Sequence, residues 1–260
     1  EGFDPNQVVR SATAVADLLK SRGFENVQIL KLGDAHPYVY GEWMHAPGAP
    51  TVLLYAHHDV QPPGRDELWQ TSPFEPTVKA GPGGDRLFGR GAADDKAGVV
   101  VHTSALAAYL ASGKKPPVNM KVVIEGEEEI GSSHLEAFIE KHRSLLKADV
   151  MILTDTTNFD CGIPALTVAL RGMIAVEVEV RALTKSIHSG MWGGPIPDPV
   201  IGLSRILGGL VDNEGRIAIP GILDGLKPIS PAEEKALLSL PYNEAEFREQ
   251  AGVVPSLKLW

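Results

Sequence analysis

Residues 51–59 have the sequence TVLLYAHHD, in which a continuous apolar run is followed at once by two histidines and an aspartate. A short apolar run of this kind is typical of a strand that is buried on both faces of a sheet. Two further runs, VNMKVVIE at 118–125 and VMILT at 150–154, have the same character, and helical stretches at 96–112 and 135–146 lie between them. This alternation predicts an α/β fold with a mostly parallel sheet and helices on both faces.

The pattern changes after about residue 164. In VEVEVR, residues 176–181, apolar and charged residues alternate strictly, which predicts a strand with one solvated face. Asp198 and Pro199 form a helix start, because aspartate caps the first turn and proline suits the first helical position. We therefore expect two domains: an α/β domain at residues 1–166 and a smaller α+β domain at residues 167–260.

The charge balance excludes several classes of function. The chain has 260 residues, with 24 Lys and Arg against 33 Asp and Glu, which gives a net charge of −9. Such an acidic chain is a poor match for a protein that binds nucleic acid or an anionic membrane. No apolar run approaches the ~20 residues of a membrane-spanning helix. The single cysteine, Cys161, excludes an intrachain disulfide framework, so a reducing, cytoplasmic location is expected.

Each of the three apolar runs is followed by side chains that can bind a metal ion. The first leads into His57 and Asp59, the second into the acidic run EGEEE at 125–129, and the third into Asp155. Because the carboxyl ends of strands in an open α/β sheet line a common crevice, we expect these groups to converge there. Imidazole and carboxylate groups together suit zinc or a similar transition metal.

Asp94, at the start of the Ala-rich helix, is a fourth candidate ligand. Taken singly, each signal has a plainer explanation. A histidine after a strand is usually incidental, an acidic run is usually a solvated loop, and an aspartate before a helix is often a cap. Asp155 alone would be an ordinary turn residue. The occurrence of all of them within one α/β region is what predicts a metal centre.

Four motifs, in this order along the chain, resemble those of one known family. They are YAHHDVQP at 55–62, GRGAADDKAG at 89–98, IEGEEEIGS at 124–132 and HSGMWGG at 188–194. The family is that of the carnosinase-type dipeptidases, within the co-catalytic zinc metallopeptidases that include acetylornithine deacetylase, succinyl-diaminopimelate desuccinylase and glutamate carboxypeptidase. The resemblance implies that residues 1–166 are the first part of a metallopeptidase catalytic domain. Residues 167–260 would then belong to a lid and dimerisation domain.

The resemblance implies a set of metal ligands. The expected ligands are His57, Asp94, Glu129 and Asp155, with Asp94 bridging two divalent ions and forming a cis peptide bond to Asp95. One ion would be held by His57, Asp94 and Asp155, and the other by Asp94, Glu129 and one further residue. Zinc is the expected metal, with manganese and cobalt as alternatives.

Three further residues match catalytic positions of the family. Asp59 is expected to orient His57, Glu128 to act as the general base, and His188 to stabilise an oxyanion, in the family often within the site of a neighbouring subunit. Four other histidines match no ligand of the family and are expected to be structural or exposed: His58, His102, His134 and His142.

The function that the resemblance implies is metal-dependent hydrolysis of the peptide bond in dipeptides or short peptides, with a water that loses its proton to Glu128. A small peptide substrate and a second copy of the chain are the implied partners. A deacylase of N-acyl amino acids is the alternative within this class. A non-catalytic homologue that binds metal or a partner is the alternative from another class, although the intact Asp94 and Glu128 argue against it. The acidic balance and the HSG loop disfavour a metal-dependent phosphatase or nuclease.

The family is normally much longer than this chain, and its later part supplies a final histidine ligand. No histidine follows His188 in this sequence. The resemblance therefore predicts that the 260 residues are an incomplete chain with weak or no activity of its own. It also predicts an exposed apolar patch where further elements would pack.

Overall fold

The computed structural model describes residues 4–81, 83–160 and 162–259. The chain divides into two compact units, residues 1–170 and 171–260, close to the boundary predicted between residues 166 and 167. Cys161 lies outside the described residues. Among the described residues, no helix combines the length and the apolar character needed to cross a membrane.

In its described residues, the first unit contains a five-stranded sheet, a separate hairpin and four helices. In chain order the elements are α1 (Pro5–Ser21), β1 (Glu25–Leu30), β2 (Tyr38–Trp43), β3 (Thr51–His57), β4 (Thr77–Gly81), β5 (Gly84–Phe88), α2 (Lys96–Ala111), β6 (Asn119–Glu125), α3 (Leu135–Lys141), α4 (Arg143–Leu146) and β7 (Val150–Leu153). β4 and β5 form the hairpin. Short 3-10 turns occur at Asp66–Leu68 and Glu128–Ile130.

The α/β prediction is confirmed, with a sheet that is mixed rather than mostly parallel. The strand order is β1-β2-β6-β3-β7. β6, β3 and β7, the strands predicted to lead into metal ligands, run parallel to one another. β1 is antiparallel to β2, because the loop between them is too short for the crossover that a parallel pair requires. β2 is also antiparallel to β6.

Helices cover both faces of the sheet. On one face, α1 and α2 contribute Ala12, Leu19 and Leu106 to an apolar core together with β6 residues such as Val122. α1 begins where the Asp4 carboxylate accepts a hydrogen bond from the Asn6 amide at 2.9 Å. On the other face, α3 and α4 pack against the sheet in a second core. Its buried residues are Ala35, Tyr38, Tyr40, Tyr55, Val123, Phe138 and Leu146.

Phe138 is the anchor of this second core. Its side chain is fully buried, and its ring stacks on Tyr38 with centroids 3.8 Å apart. We expect Phe138→Ala to lower the free energy of unfolding by about 3–5 kcal/mol, because the substitution leaves a cavity as well as removing apolar contacts. Urea denaturation measures this loss. Glu136→Ala, at an exposed position of the same helix, is the control and should change the value by less than about 0.5 kcal/mol.

Burial of the apolar strands follows their position in the sheet. All seven residues of the central strand β6 are buried, as predicted. β7 was also predicted to be buried on both faces, and this is wrong: its four residues are 43–58% exposed. β7 lies at the edge of the described sheet, where β3 is the strand that pairs with it. An apolar patch is therefore exposed at this edge.

The second unit consists of helices and irregular backbone in its described part, residues 171–259. The helices are α5 (Ser189–Trp192), α6 (Pro199–Gly208), α7 (Pro231–Leu238) and α8 (Glu244–Ala251). α6 begins after Asp198, whose side chain accepts from the Val200 amide, as predicted. The predicted strand at 176–181 is wrong: the segment joins no strand ladder, and Val176 is 76% exposed. Alternation of apolar and charged residues determines which face of a strand is buried. A segment forms a strand only when its backbone is hydrogen-bonded to a neighbouring strand.

Candidate metal centre

The parallel strands deliver polar side chains to one edge of the sheet. His57 is the last residue of β3, and it lies in register with Glu125, the last residue of β6. Glu128 follows β6 in a 3-10 turn, and Asp155 follows β7. Because parallel strands end at the same edge, residues far apart in sequence are close together here.

The buried imidazole of His57 is the hub of the cluster. Its Nε2 atom lies 2.9 Å from Asp94 Oδ1, 3.8 Å from Glu128 Oε2 and 3.9 Å from Asp155 Oδ2. In the part of the chain that the structure describes, two groups of three side chains have ligand atoms within 4.8 Å of one another. His57, Glu128 and Asp155 form one, and His57, Asp94 and Glu129 form the other. Glu128, which was predicted as a base rather than a ligand, thus lies close enough to His57 and Asp155 to bind the same ion.

The other nitrogen of His57 faces Asp59. Nδ1 lies 3.3 Å from Asp59 Oδ1 and 3.2 Å from the Asp59 carbonyl oxygen. The second carboxylate oxygen of Asp59 accepts a hydrogen bond from the Glu129 amide at 3.0 Å. Asp59 therefore ties the orientation of the imidazole to the turn that carries Glu129, which is the geometry expected of a residue that orients a ligand.

The start of α2 fixes the position of Asp94. The peptide bond between Asp94 and Asp95 is cis, which confirms the expectation from the family resemblance. Asp95 is buried, and its carboxylate accepts from the Gly98 amide at 3.1 Å and from the His57 amide at 3.2 Å. The side chain of Asp94 is 63% exposed. Asp95 is thus a structural cap that also holds the end of β3, and it leaves the oxygens of Asp94 available.

Crowded carboxylates set the electrostatics of the cluster. Burial alone would lower the pKa of His57, but the hydrogen bond that its ring donates to Asp59 and the charges of Asp59, Glu128 and Asp155 raise it to about 9. Burial raises the pKa of Glu128, and the negative charges of Asp155 and Glu129 add to this increase, while His57 opposes it. A cation between these groups would relieve the repulsion.

The donor set fits a divalent cation. One imidazole nitrogen and several carboxylate oxygens form it, with the imidazole held from behind by a carboxylate, as ligating histidines usually are. The ring is buried while the oxygens of Asp94, Glu128 and Asp155 remain partly or well exposed. The cluster is therefore open to solvent on the side from which an ion and a substrate would enter.

Three residues near the cluster make contacts that the sequence did not predict, although two of them belong to the acidic run at 125–129. Glu125 is fully buried and accepts a hydrogen bond from the Tyr55 hydroxyl at 2.6 Å. Glu127 is also buried and accepts from the Tyr38 hydroxyl at 3.0 Å. Gln61 donates its amide to Glu129 Oε2 at 2.9 Å. The signal for Glu125 was its place at the last position of a buried strand, which an acidic run obscures.

His188 lies in the second unit, at the residue before α5, where its carbonyl oxygen accepts from the Met191 amide at 3.1 Å. Its predicted role at an oxyanion stays a prediction. Of the histidines expected to be structural, His58 and His102 are buried and bond to the carbonyl oxygens of Pro37 and Tyr55.

Comparison with known proteins gives a consistent result. Residues 53–254 match peptidase family M20/M25/M40. The chain is 33% identical to the Cys-Gly metallodipeptidase DUG1 of Candida albicans, over 96% of this chain and 54% of that protein. It is 36% identical to the Beta-Ala-His dipeptidase of Mus musculus, over 82% of this chain and 43% of that protein.

A solved structure supports the same conclusion about the fold. The M20 family metallo-carboxypeptidase Sso-CP2 from Sulfolobus solfataricus superposes with a TM-score of 0.75 at 29% sequence identity, over 97% of this chain and 56% of that chain. The chain thus spans about half the length of the curated relatives that it matches.

Proposed function

Because this chain belongs to peptidase family M20/M25/M40, and with it to proteins that bind divalent metal ions, we propose that it is part of a metal-dependent dipeptidase. The observation that carries the proposal is the convergence of His57, Asp94, Glu128 and Asp155 at one edge of the sheet. The names of the relatives, a Cys-Gly metallodipeptidase and a Beta-Ala-His dipeptidase, favour short peptides as substrates.

Two divalent ions, most simply zinc, would be held by His57, Asp94, Glu129 and Asp155. When bound, such ions supply Lewis acidity, which lowers the pKa of a water and polarises a carbonyl oxygen. Asp59 holds the His57 ring in position from its other nitrogen, at 3.3 Å. A carboxylate beside this nitrogen orients the ring, so that Nε2 stays directed at the cluster, and raises its basicity as a ligand.

Glu128 is the proposed general base. Its carboxylate is about one third exposed, with Oε2 3.8 Å from His57 Nε2, so it borders both the ligands and the solvent. It would take a proton from the attacking water and return it to the nitrogen of the leaving amine, which restores its starting state. Burial raises the pKa of Glu128, which makes its carboxylate a stronger base than that of a fully solvated glutamate.

The second unit completes the proposal. His188 would stabilise the negative oxygen that forms at the carbonyl, and a homodimer formed through residues 171–260 would bring it to a neighbouring site. The smaller unit would then serve as a lid and dimerisation domain. A cytoplasmic location also stays a prediction.

The proposal is tested on the protein stripped of metal with a chelator and then supplied with Zn²⁺, Mn²⁺ or Co²⁺. A free metal concentration of 100 times the dissociation constant should raise the free energy of unfolding by about 2.7 kcal/mol. Dipeptide hydrolysis should appear only when metal is present. Hydrolysis of N-acetyl amino acids without dipeptide hydrolysis would point to a deacylase instead. Metal binding without turnover of either substrate, in the whole protein, would contradict an enzymatic role.

A further inference from the structure

The turn that follows β6 carries Glu128 and Glu129, and it is fastened by the residue before them. The Glu127 carbonyl oxygen accepts from the Ile130 amide at 3.3 Å and from the Ser132 amide at 3.0 Å. This turn is exposed over much of its length, and Ile130 is 65% exposed. Its shape therefore depends on few contacts, of which those of Glu127 are the most buried.

The side chain of Glu127 is buried among hydrogen-bond donors. Oε1 accepts from the Tyr38 hydroxyl at 3.0 Å and from the His134 amide at 2.9 Å, and both oxygens lie 3.1 Å from His134 Nδ1. Oε2 accepts from the His36 amide at 3.4 Å. We call Glu127 together with Tyr38, His36 and His134 the Glu127 clamp. It joins β2, the loop before β2 and the segment before α3 to the base of the turn.

Gly126 brings the turn against its neighbours. A Cβ atom at this position would lie 2.5 Å from the Pro37 carbonyl oxygen and 2.8 Å from His58 Nε2. The Gly126 carbonyl oxygen also contacts His36 Nδ1 at 3.0 Å. The backbone at Gly126 is therefore packed closely against its neighbours. The side chains of Glu128 and Glu129, which follow Glu127, lie at the cluster around His57.

From these contacts we infer that Glu127 is a positioning residue for the metal centre, which acts through the backbone of Glu128 and Glu129. None of the contacts described for Glu127 joins it to His57 or to the other predicted metal ligands. Its negative charge and two oxygens satisfy four donors at once, and this fixes the turn from which the general base and one ligand project. The inference rests on the proposed function, because it assumes a metal at this cluster.

The test measures Co²⁺ binding by calorimetry and by visible absorption, which reports the geometry around the ion. Glu127→Gln places an amide group among N–H donors. We expect the affinity for Co²⁺ to fall about tenfold, the lower end of what changes to a group that contacts a ligand cost, because Glu127 acts one step further from the ion, and we expect an altered spectrum. Hydrogen exchange at residues 130–132 should also become faster. Glu136→Gln, an exposed carboxylate on α3, is the control for loss of one charge and should change none of these.

A second variant separates position from charge. Glu127→Asp keeps the charge and withdraws it by one methylene, so a positioning role predicts a weaker Co²⁺ affinity here as well. Wild-type affinity in Glu127→Asp, or in a folded Glu127→Gln, would overturn the inference. If both variants fail to fold, Tyr38→Phe removes one donor while keeping the ring on Phe138, and an unchanged Co²⁺ spectrum would overturn it too. Absence of Co²⁺ binding by the wild-type chain would instead reject the proposed function, and this inference with it.

Discussion

Glu128→Gln is expected to reduce dipeptide hydrolysis by about 10²–10⁴-fold while the metal content stays unchanged. The amide of glutamine has nearly the shape of the carboxylate but cannot accept a proton from the attacking water. General acid–base groups typically contribute a factor of this size to the rate. The measurement is turnover of the whole protein at saturating substrate, with metal content determined on the same preparation.

The control for this variant is Glu75→Gln, an exposed glutamate outside the cluster, which should keep full turnover. Unchanged turnover in Glu128→Gln would remove Glu128 from the role of base. A loss of both turnover and metal would show that Glu128 acts as a ligand, as its grouping with His57 and Asp155 allows. The two roles are therefore separated by one pair of measurements.

His57→Ala is expected to abolish tight metal binding. Both groups of three potential ligands contain His57, so the substitution removes a donor from each of them. Loss of a direct ligand should cost more than the 10–100-fold that changes behind a ligand usually cost, so we expect the affinity to fall by more than about a hundredfold. Calorimetric titration with Zn²⁺ measures the affinity directly.

His45→Ala is the matched control, because this histidine is exposed and pairs with Glu25 at 2.9 Å, away from the cluster. His57 is buried, so heat unfolding of the variant has to show that the fold is retained. His57→Gln fills more of the space if alanine destabilises the chain. Undiminished metal content in a folded His57 variant would reject the metal centre as assigned.

The sequence predicted the parts of the fold that depend on local pattern. The apolar runs located β3, β6 and β7, and Asp198 with Pro199 located the start of α6. It did not predict the features that depend on a distant partner. The exposure of β7 follows from its place at the edge of the sheet, and VEVEVR at 176–181 lacks a paired strand among the described residues.

The candidate site shows the same division. The positions after the strands predicted that His57, Glu128 and Asp155 would lie together, with Asp94 at the start of the Ala-rich helix as a further candidate, and these side chains do lie together. Their chemical roles stay predictions. Glu127 was missed because a run of acidic residues is normally solvated, and only the folded chain shows that donors from three separate segments surround this carboxylate.

The exposed edge of β7 also has a consequence for the behaviour of the protein in concentrated solution. On its outer side, no strand among the described residues pairs with its backbone, and apolar side chains flank that edge above and below. An unpaired edge with exposed apolar side chains can pair with a strand of another polypeptide, and such edges are a common origin of aggregation. At high concentration we therefore expect these 260 residues to aggregate through the edge of β7 unless another polypeptide segment covers that edge.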